Sequence, residues 1–156
     1  MEKAREQTVL TVSKRDVYNE VAMTTAYTGA KKGNENDMSA YERIFTTDED
    51  REKLERFWVE SCASVCSALK QFLEEEECGG EGYRVRLSMP RAFDRALLPS
   101  MNKSLTSFFV LNITADWYVY TNKEECTEYA AAAAMMLEDV RRKAFYKKRP
   151  TRPTYD

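Results

Sequence analysis

The 156-residue sequence contains no histidine. Histidine is the commonest general base and metal ligand in proteins, so its absence removes every Ser–His or Cys–His nucleophile arrangement. The few glycines form no phosphate-binding loop, because the pair Gly79–Gly80 is not followed by a lysine-bearing turn. The usual components of a catalytic site are missing, and we therefore expect a protein that is not an enzyme and binds no cofactor.

Long apolar runs and patterned cysteines are also missing. The longest apolar stretch, around Phe108–Ile113, is far shorter than the roughly 20 residues that cross a bilayer, and the polar N-terminus does not resemble a signal peptide. Cys62 and Cys66 lie one helical turn apart, but a metal site would also need Cys78 and Cys126, and no CxxC pair occurs. We therefore expect free thiols in a reducing compartment, no bound metal and no membrane contact.

Charge is distributed unevenly along a chain whose net charge is only −2. Residues 45–82 carry eleven acids and four bases, whereas residues 141–156 carry seven bases and one acid. A protein built for general nucleic-acid binding usually has a basic face throughout. An acidic middle with a basic end is equally suited to copies of one chain that meet end to face.

The scarcity of glycine and proline favours helix, and apolar residues recur every three or four positions over most of the chain. Threonine and β-branched residues predict a short strand at Thr8–Val12, and strict alternation predicts a second at Tyr83–Leu87. An isolated strand is not stable, so we expect the two to pair with each other. The predicted fold class is mainly α, a four-helix bundle with a small two-stranded β ribbon. The four predicted helices span about 14–29, 47–76, 95–120 and 122–146.

The same periodicity predicts which side chains are buried. Asp116 is a charge inside an apolar helix, so we expect it to bind Lys123, Arg142 or a tyrosine hydroxyl. The predicted core residues are Phe57, Trp58, Leu69, Leu105, Phe109, Ile113, Leu137 and Val140.

The C-terminal residues differ from the rest because Pro150 and Pro153 cannot continue a helix. We predict one helical domain over residues 1–146 and an extended basic arm over 147–156. The arm is a nucleic-acid element, a solvated end or a segment that docks on another protein, and composition does not rank the last two. The proposed interaction residues are Lys147, Lys148, Arg149, Arg152 and Tyr155 on the arm, with Glu74, Glu75, Glu76 and Glu77 as its acidic target.

Three stretches of the sequence resemble one family. They are DVYNEVAMTTAYTGAK, AYERIFTTDEDRE and WYVYTNKEECTEYAAAAAMMLEDVRRKAFYKKRPTRP. They are similar to small head–tail connector (neck or adaptor) proteins encoded by phages and prophages of Bacteroides-type gut bacteria, and the resemblance covers about Val9 to Pro153. The extra cysteines and the acidic EEEECGGEG depart from the family pattern.

The resemblance implies a helical structural protein that forms a ring at the portal, with arms that reach the next copy or the next ring. It implies partners among copies of the chain and neighbouring portal or tail components. It also implies a location in the bacterial cytoplasm during assembly and later in the virion. The alternative function is a nucleic-acid-binding or regulatory helical module that uses the basic C-terminal tail, with DNA contact as the less favoured interaction.

Overall fold

A computed structural model describes residues 5–32 and 44–150 of the chain. Within these ranges the chain forms four α-helices and one antiparallel sheet of three strands, with short 3-10 turns before the second and third helices. In chain order the elements are β1 (Arg5–Ser13), α1 (Lys14–Lys32), α2 (Arg51–Ala68), β2 (Leu73–Glu77), β3 (Gly82–Pro90), α3 (Leu98–Thr121) and α4 (Lys123–Ala144).

Helix α3 is the central element of the fold. It packs against the other three helices and against β1. Its side chains Met101, Leu105, Phe109 and Ile113 are fully buried, as expected for a helix that is apolar nearly all round. The prediction of a mainly helical fold with four helices is confirmed, whereas the arrangement as a four-helix bundle is not.

The predicted pairing of the two distant strands is confirmed. β1 and β3 are antiparallel neighbours, with Leu10 opposite Val85. Because side chains alternate along a strand, one face of this pair is buried and the other is exposed. The predicted two-stranded ribbon is wrong, however, since β2 adds a third strand on the other side of β3.

The added strand is also a correction to the second predicted helix. The predicted span is 47–76, but the helix ends at Ala68, and Leu73–Glu77 forms β2. Consecutive glutamates at a helix C-terminus oppose the helix dipole. In the strand, Glu75 and Glu77 instead lie opposite Arg86 and Arg84 of β3, where opposite charges attract.

The hydrophobic core joins α2, α3 and β3. Trp58 lies 4.6 Å from Phe109 between ring centroids, and Tyr83 lies 5.5 Å from Phe109 on the other side. Seven of the eight predicted core residues are buried, and Leu137 is half-buried at the edge of the core. The core prediction is therefore confirmed except at Leu137.

The expectation of four free thiols is wrong. Cys62 on α2 and Cys78 after β2 form a disulfide, with their Cα atoms 6.3 Å apart, whereas Cys66 and Cys126 are free. The turn after Ala68 reverses the chain and returns Cys78 to the buried face of α2. The indole N–H of Trp58 donates a hydrogen bond to the Cys78 carbonyl at 3.1 Å, which holds the same two segments together.

Candidate interaction surfaces

The C-terminal segment begins with contacts to its own chain. After α4 ends, the backbone N–H of Asp94 donates to the Tyr146 carbonyl at 3.1 Å, and that of Lys148 donates to the Ala92 carbonyl at 2.7 Å. The Phe145 ring lies 5.0 Å from the Phe72 ring, next to the start of β2. These contacts fix the position of the backbone at residues 145–148.

The predicted cations on this segment are accessible where the structure describes them. Lys147, Lys148 and Arg149 are exposed, and within the described residues none of them forms an ion pair. Arg152 and Tyr155 lie outside the described residues. The division into a domain of residues 1–146 and an arm of 147–156 stays a prediction.

The acidic stretch is exposed but already has partners in its own chain. Arg86 forms ion pairs with Glu75 and, at 3.9 Å, with Glu74. The Tyr83 hydroxyl donates to the Glu76 carboxylate at 2.9 Å. Burial and this hydrogen bond raise the pKa of Tyr83 above its ordinary value. Strand β2 therefore presents a mixed surface of acids and arginines, not a purely acidic one.

Strand β2 lies at the edge of the sheet, as the strand order β1-β3-β2 shows. Within the described part of the chain, one side of its backbone therefore has no strand partner. Exposed edges of this kind can pair with an extended segment of another chain. The short length of the strand and its charged side chains limit nonspecific pairing.

A cleft of about 920 Å³ opens between the start of α1 and the start of α2. On its wall, the Lys14 ammonium lies 2.9 Å from a Glu55 carboxylate oxygen, and the Tyr18 hydroxyl donates to the same carboxylate at 2.9 Å. Burial alone would raise the pKa of Glu55, but the hydrogen bonds from Lys14 and Tyr18 hold it below its ordinary value. The glutamate is thus a fixed anion that neutralises a largely buried lysine.

The lining of this cleft is of mixed charge, with Arg15 and Arg51 beside Glu55 and Glu81. Such a lining favours neither anions nor cations strongly. It contains no nucleophile paired with a base among the lining residues that the structure describes. We therefore assign the Lys14–Glu55–Tyr18 cluster a role in joining α1 to α2.

Asp116 lacks the basic partner that the sequence suggested. Among the described residues it forms no ion pair with Lys123 or Arg142, and the charged side chain that affects it is Glu60 on α2. Burial, with the Glu60 carboxylate as a second cause, raises the pKa of Asp116 to about 6. Sequence reasoning missed Glu60 because the packing of α2 against α3 is not visible in local patterns.

The outward side of α4 is an apolar surface that sequence reasoning also missed. Ala130, Ala131 and Ala134 are exposed, and Met135 is 69% exposed. The spacing predicted the buried side correctly at Val140. In the alanine run of residues 130–134, Ala133 is buried, whereas three of the five alanines face solvent.

Other kinds of site find no support in the part of the chain that is described. There, no cluster of cysteine and carboxylate side chains could hold a metal ion. None of the helices in residues 5–32 and 44–150 is both long and apolar enough to cross a bilayer. Comparison of the chain with protein-family models, with curated proteins and with solved structures finds no match.

Proposed function

We propose that the chain is a non-enzymatic structural protein that assembles with copies of itself and with neighbouring virion proteins, as a head–tail connector (neck ring) subunit of a phage or prophage. The observation that carries the proposal is the C-terminal segment. It is anchored to its own chain at residues 145–148, and it carries the three consecutive exposed cations Lys147, Lys148 and Arg149. An arm with a fixed base and a stiff backbone loses less entropy when it docks.

The receptor in this proposal is the edge of the sheet at Glu74–Glu77 on a neighbouring copy. An exposed ion pair stabilises a contact by only about 0.2–1 kcal/mol, so charge alone does not hold the arm. The unpaired backbone edge of β2 provides main-chain hydrogen bonds as a second source of affinity. The contact runs from the end of one copy to the face of the next, which is the geometry that closes rings.

A nucleic-acid-binding function is the second candidate, because Lys147, Lys148 and Arg149 are exposed without carboxylate partners in the described part of the chain. The two functions differ in what neutralises these cations. Binding to phosphates releases counterions, so affinity for duplex DNA of random sequence would fall steeply as salt rises.

The experiment compares the intact chain with a chain truncated after Tyr146 by sedimentation velocity over a range of protein concentrations. A matched variant, K147Q/K148Q/R149Q, keeps the length and the prolines but removes the cations. We expect the truncated chain to keep its melting temperature and to lose ring-sized assemblies, and the charge variant to form fewer of them. Normal assembly by the truncated chain would contradict the proposal, and DNA binding abolished by the charge variant would favour the second candidate.

A further inference from the structure

One face of α4 carries a stripe of residues whose two ends lie seven positions on either side of Met135 at its centre. The stripe consists of Glu128, Ala131, Met135, Glu138 and Arg142, which follow each other at intervals of three or four residues. All of them are exposed except Glu138, which is partly exposed beside Arg141. Alternating intervals of three and four place residues in one line along a helix, as in the contact seam of a coiled coil.

The centre of this stripe is unusual for a solvated helix surface. Residues 129–137 contain no charged residue, in a chain of which 32% is charged. The exposed members of this window are three alanines and Met135, while the buried side of the same turns already packs on α3 through Ala133. The outward side of the window therefore has nothing to cover it in its own chain, among the residues that the structure describes.

The two ends of the stripe carry opposite charges, with Glu128 near the start of α4 and Arg142 near its end. If a second copy lies antiparallel with its Met135 against Met135, each Glu128 lies opposite the Arg142 of the other copy. Ala131 then lies opposite Asp139, one position from Glu138, and its small side chain leaves room for the Glu138–Arg141 ion pair. A parallel pair would instead place like charges together, so the charges select one orientation.

From this self-complementarity we propose that α4 binds α4 of a second copy of the chain in an antiparallel pair, with the two-fold axis at Met135. The pairing closes at two copies and cannot build a ring by itself. This inference depends on the proposed function in one respect only, that copies of the chain associate. The α4 pair is a contact separate from that of the C-terminal arm.

The contact is expected to be weak. A helix of 22 residues is about 33 Å long, so a single seam buries an area near the lower end of specific interfaces. Alanines allow two helix axes to approach to about 8 Å, which favours close backbone packing over large side-chain burial. We therefore expect a dimer that depends on protein concentration and that dissociates as salt is added, because its charge pairs attract.

Cysteine cross-linking tests the geometry. In a C66S/C126S background, which removes the free thiols, Met135→Cys should form a disulfide between two chains under mild oxidation. Glu128→Cys is the matched control, since in the antiparallel pair two such residues lie about 21 Å apart and cannot react. Cross-linking of both variants would indicate a parallel pair, and cross-linking of neither would indicate no pair; either result overturns the proposal.

Sedimentation equilibrium tests the affinity and separates this contact from the arm. Met135→Lys should lower the association constant by about tenfold or more, whereas Met23→Lys, at a 59% exposed methionine of α1, should leave it unchanged. The chain truncated after Tyr146 should still form the dimer, even if it no longer assembles further. Equal association constants for M135K and the unmodified chain would overturn the proposal without affecting the arm.

Discussion

Phe109 offers the sharpest test of the packing at the centre of the fold. It is fully buried, and three aromatic rings surround it, with centroid distances of 4.6 Å to Trp58, 5.5 Å to Tyr83 and 5.8 Å to Phe108. These rings come from α2, β3 and α3. A change at Phe109 therefore perturbs the junction of three elements at once.

Truncating this side chain to alanine should lower the free energy of unfolding by about 3–5 kcal/mol, since the transfer free energy is lost and a cavity remains. Phe109→Leu keeps most of the volume and should cost roughly 1.5 kcal/mol. A domain of this size is usually stable by about 5–15 kcal/mol, so F109A should remain folded but melt about 6–20 °C lower.

Urea unfolding followed by tryptophan fluorescence measures both variants, with Phe145→Ala as the matched control. Phe145 is 48% exposed and contacts one ring, that of Phe72, so its truncation should cost about 1 kcal/mol or less. If F109A costs no more than F145A, the junction of aromatic rings around Phe109 does not hold α2, α3 and β3 together.

Three further predictions concern the disulfide, the raised pKa of Asp116 and the close backbone approach at Gly82. Reducing the Cys62–Cys78 disulfide, which spans 16 residues, should lower stability by about 3 kcal/mol in urea unfolding, and a C62A/C78A variant should no longer respond to reductant. In the folded protein the pKa of Asp116 is about 6, above its ordinary 3.8, so the free energy of unfolding should fall as pH rises from about 4 to 6. Because the side chain is partly exposed to solvent, this fall should be about 1 kcal/mol, and Asp116→Asn should abolish it. Gly82→Ala should lower the melting temperature, because its Cβ would collide with a backbone carbonyl of β1, whereas Gly79→Ala, with nothing nearby, should leave it unchanged.

The elements that could be predicted are those whose pattern is local. Helix periodicity and strand alternation depend on neighbours within one or two turns, and they identified four helices and the β1–β3 pair. Most of the core followed from the same patterns. Leu137 is the exception, since it is only partly buried where it packs against the core.

The features that could not be predicted depend on contacts between distant segments. The sequence LEEEE has low strand propensity, and it becomes β2 because Arg84 and Arg86 of β3 lie beside it. The disulfide arises from the same reversal, since Cys78 returns to α2 only if the helix ends at Ala68. One long-range event, the addition of a third strand, therefore accounts for both corrections.

That event also changes what the acidic stretch can do as a receptor. In a helix its glutamates would have been free to bind a basic arm, whereas in β2 Arg86 already neutralises Glu74 and Glu75. An incoming arm must compete with Arg86, and each exchange of one exposed ion pair for another stabilises the contact little. What remains without a strand partner on β2, within the described residues, is its outer backbone edge. Specific docking at this site therefore depends on main-chain hydrogen bonds, which an extended segment provides and a flexible cluster of charges does not.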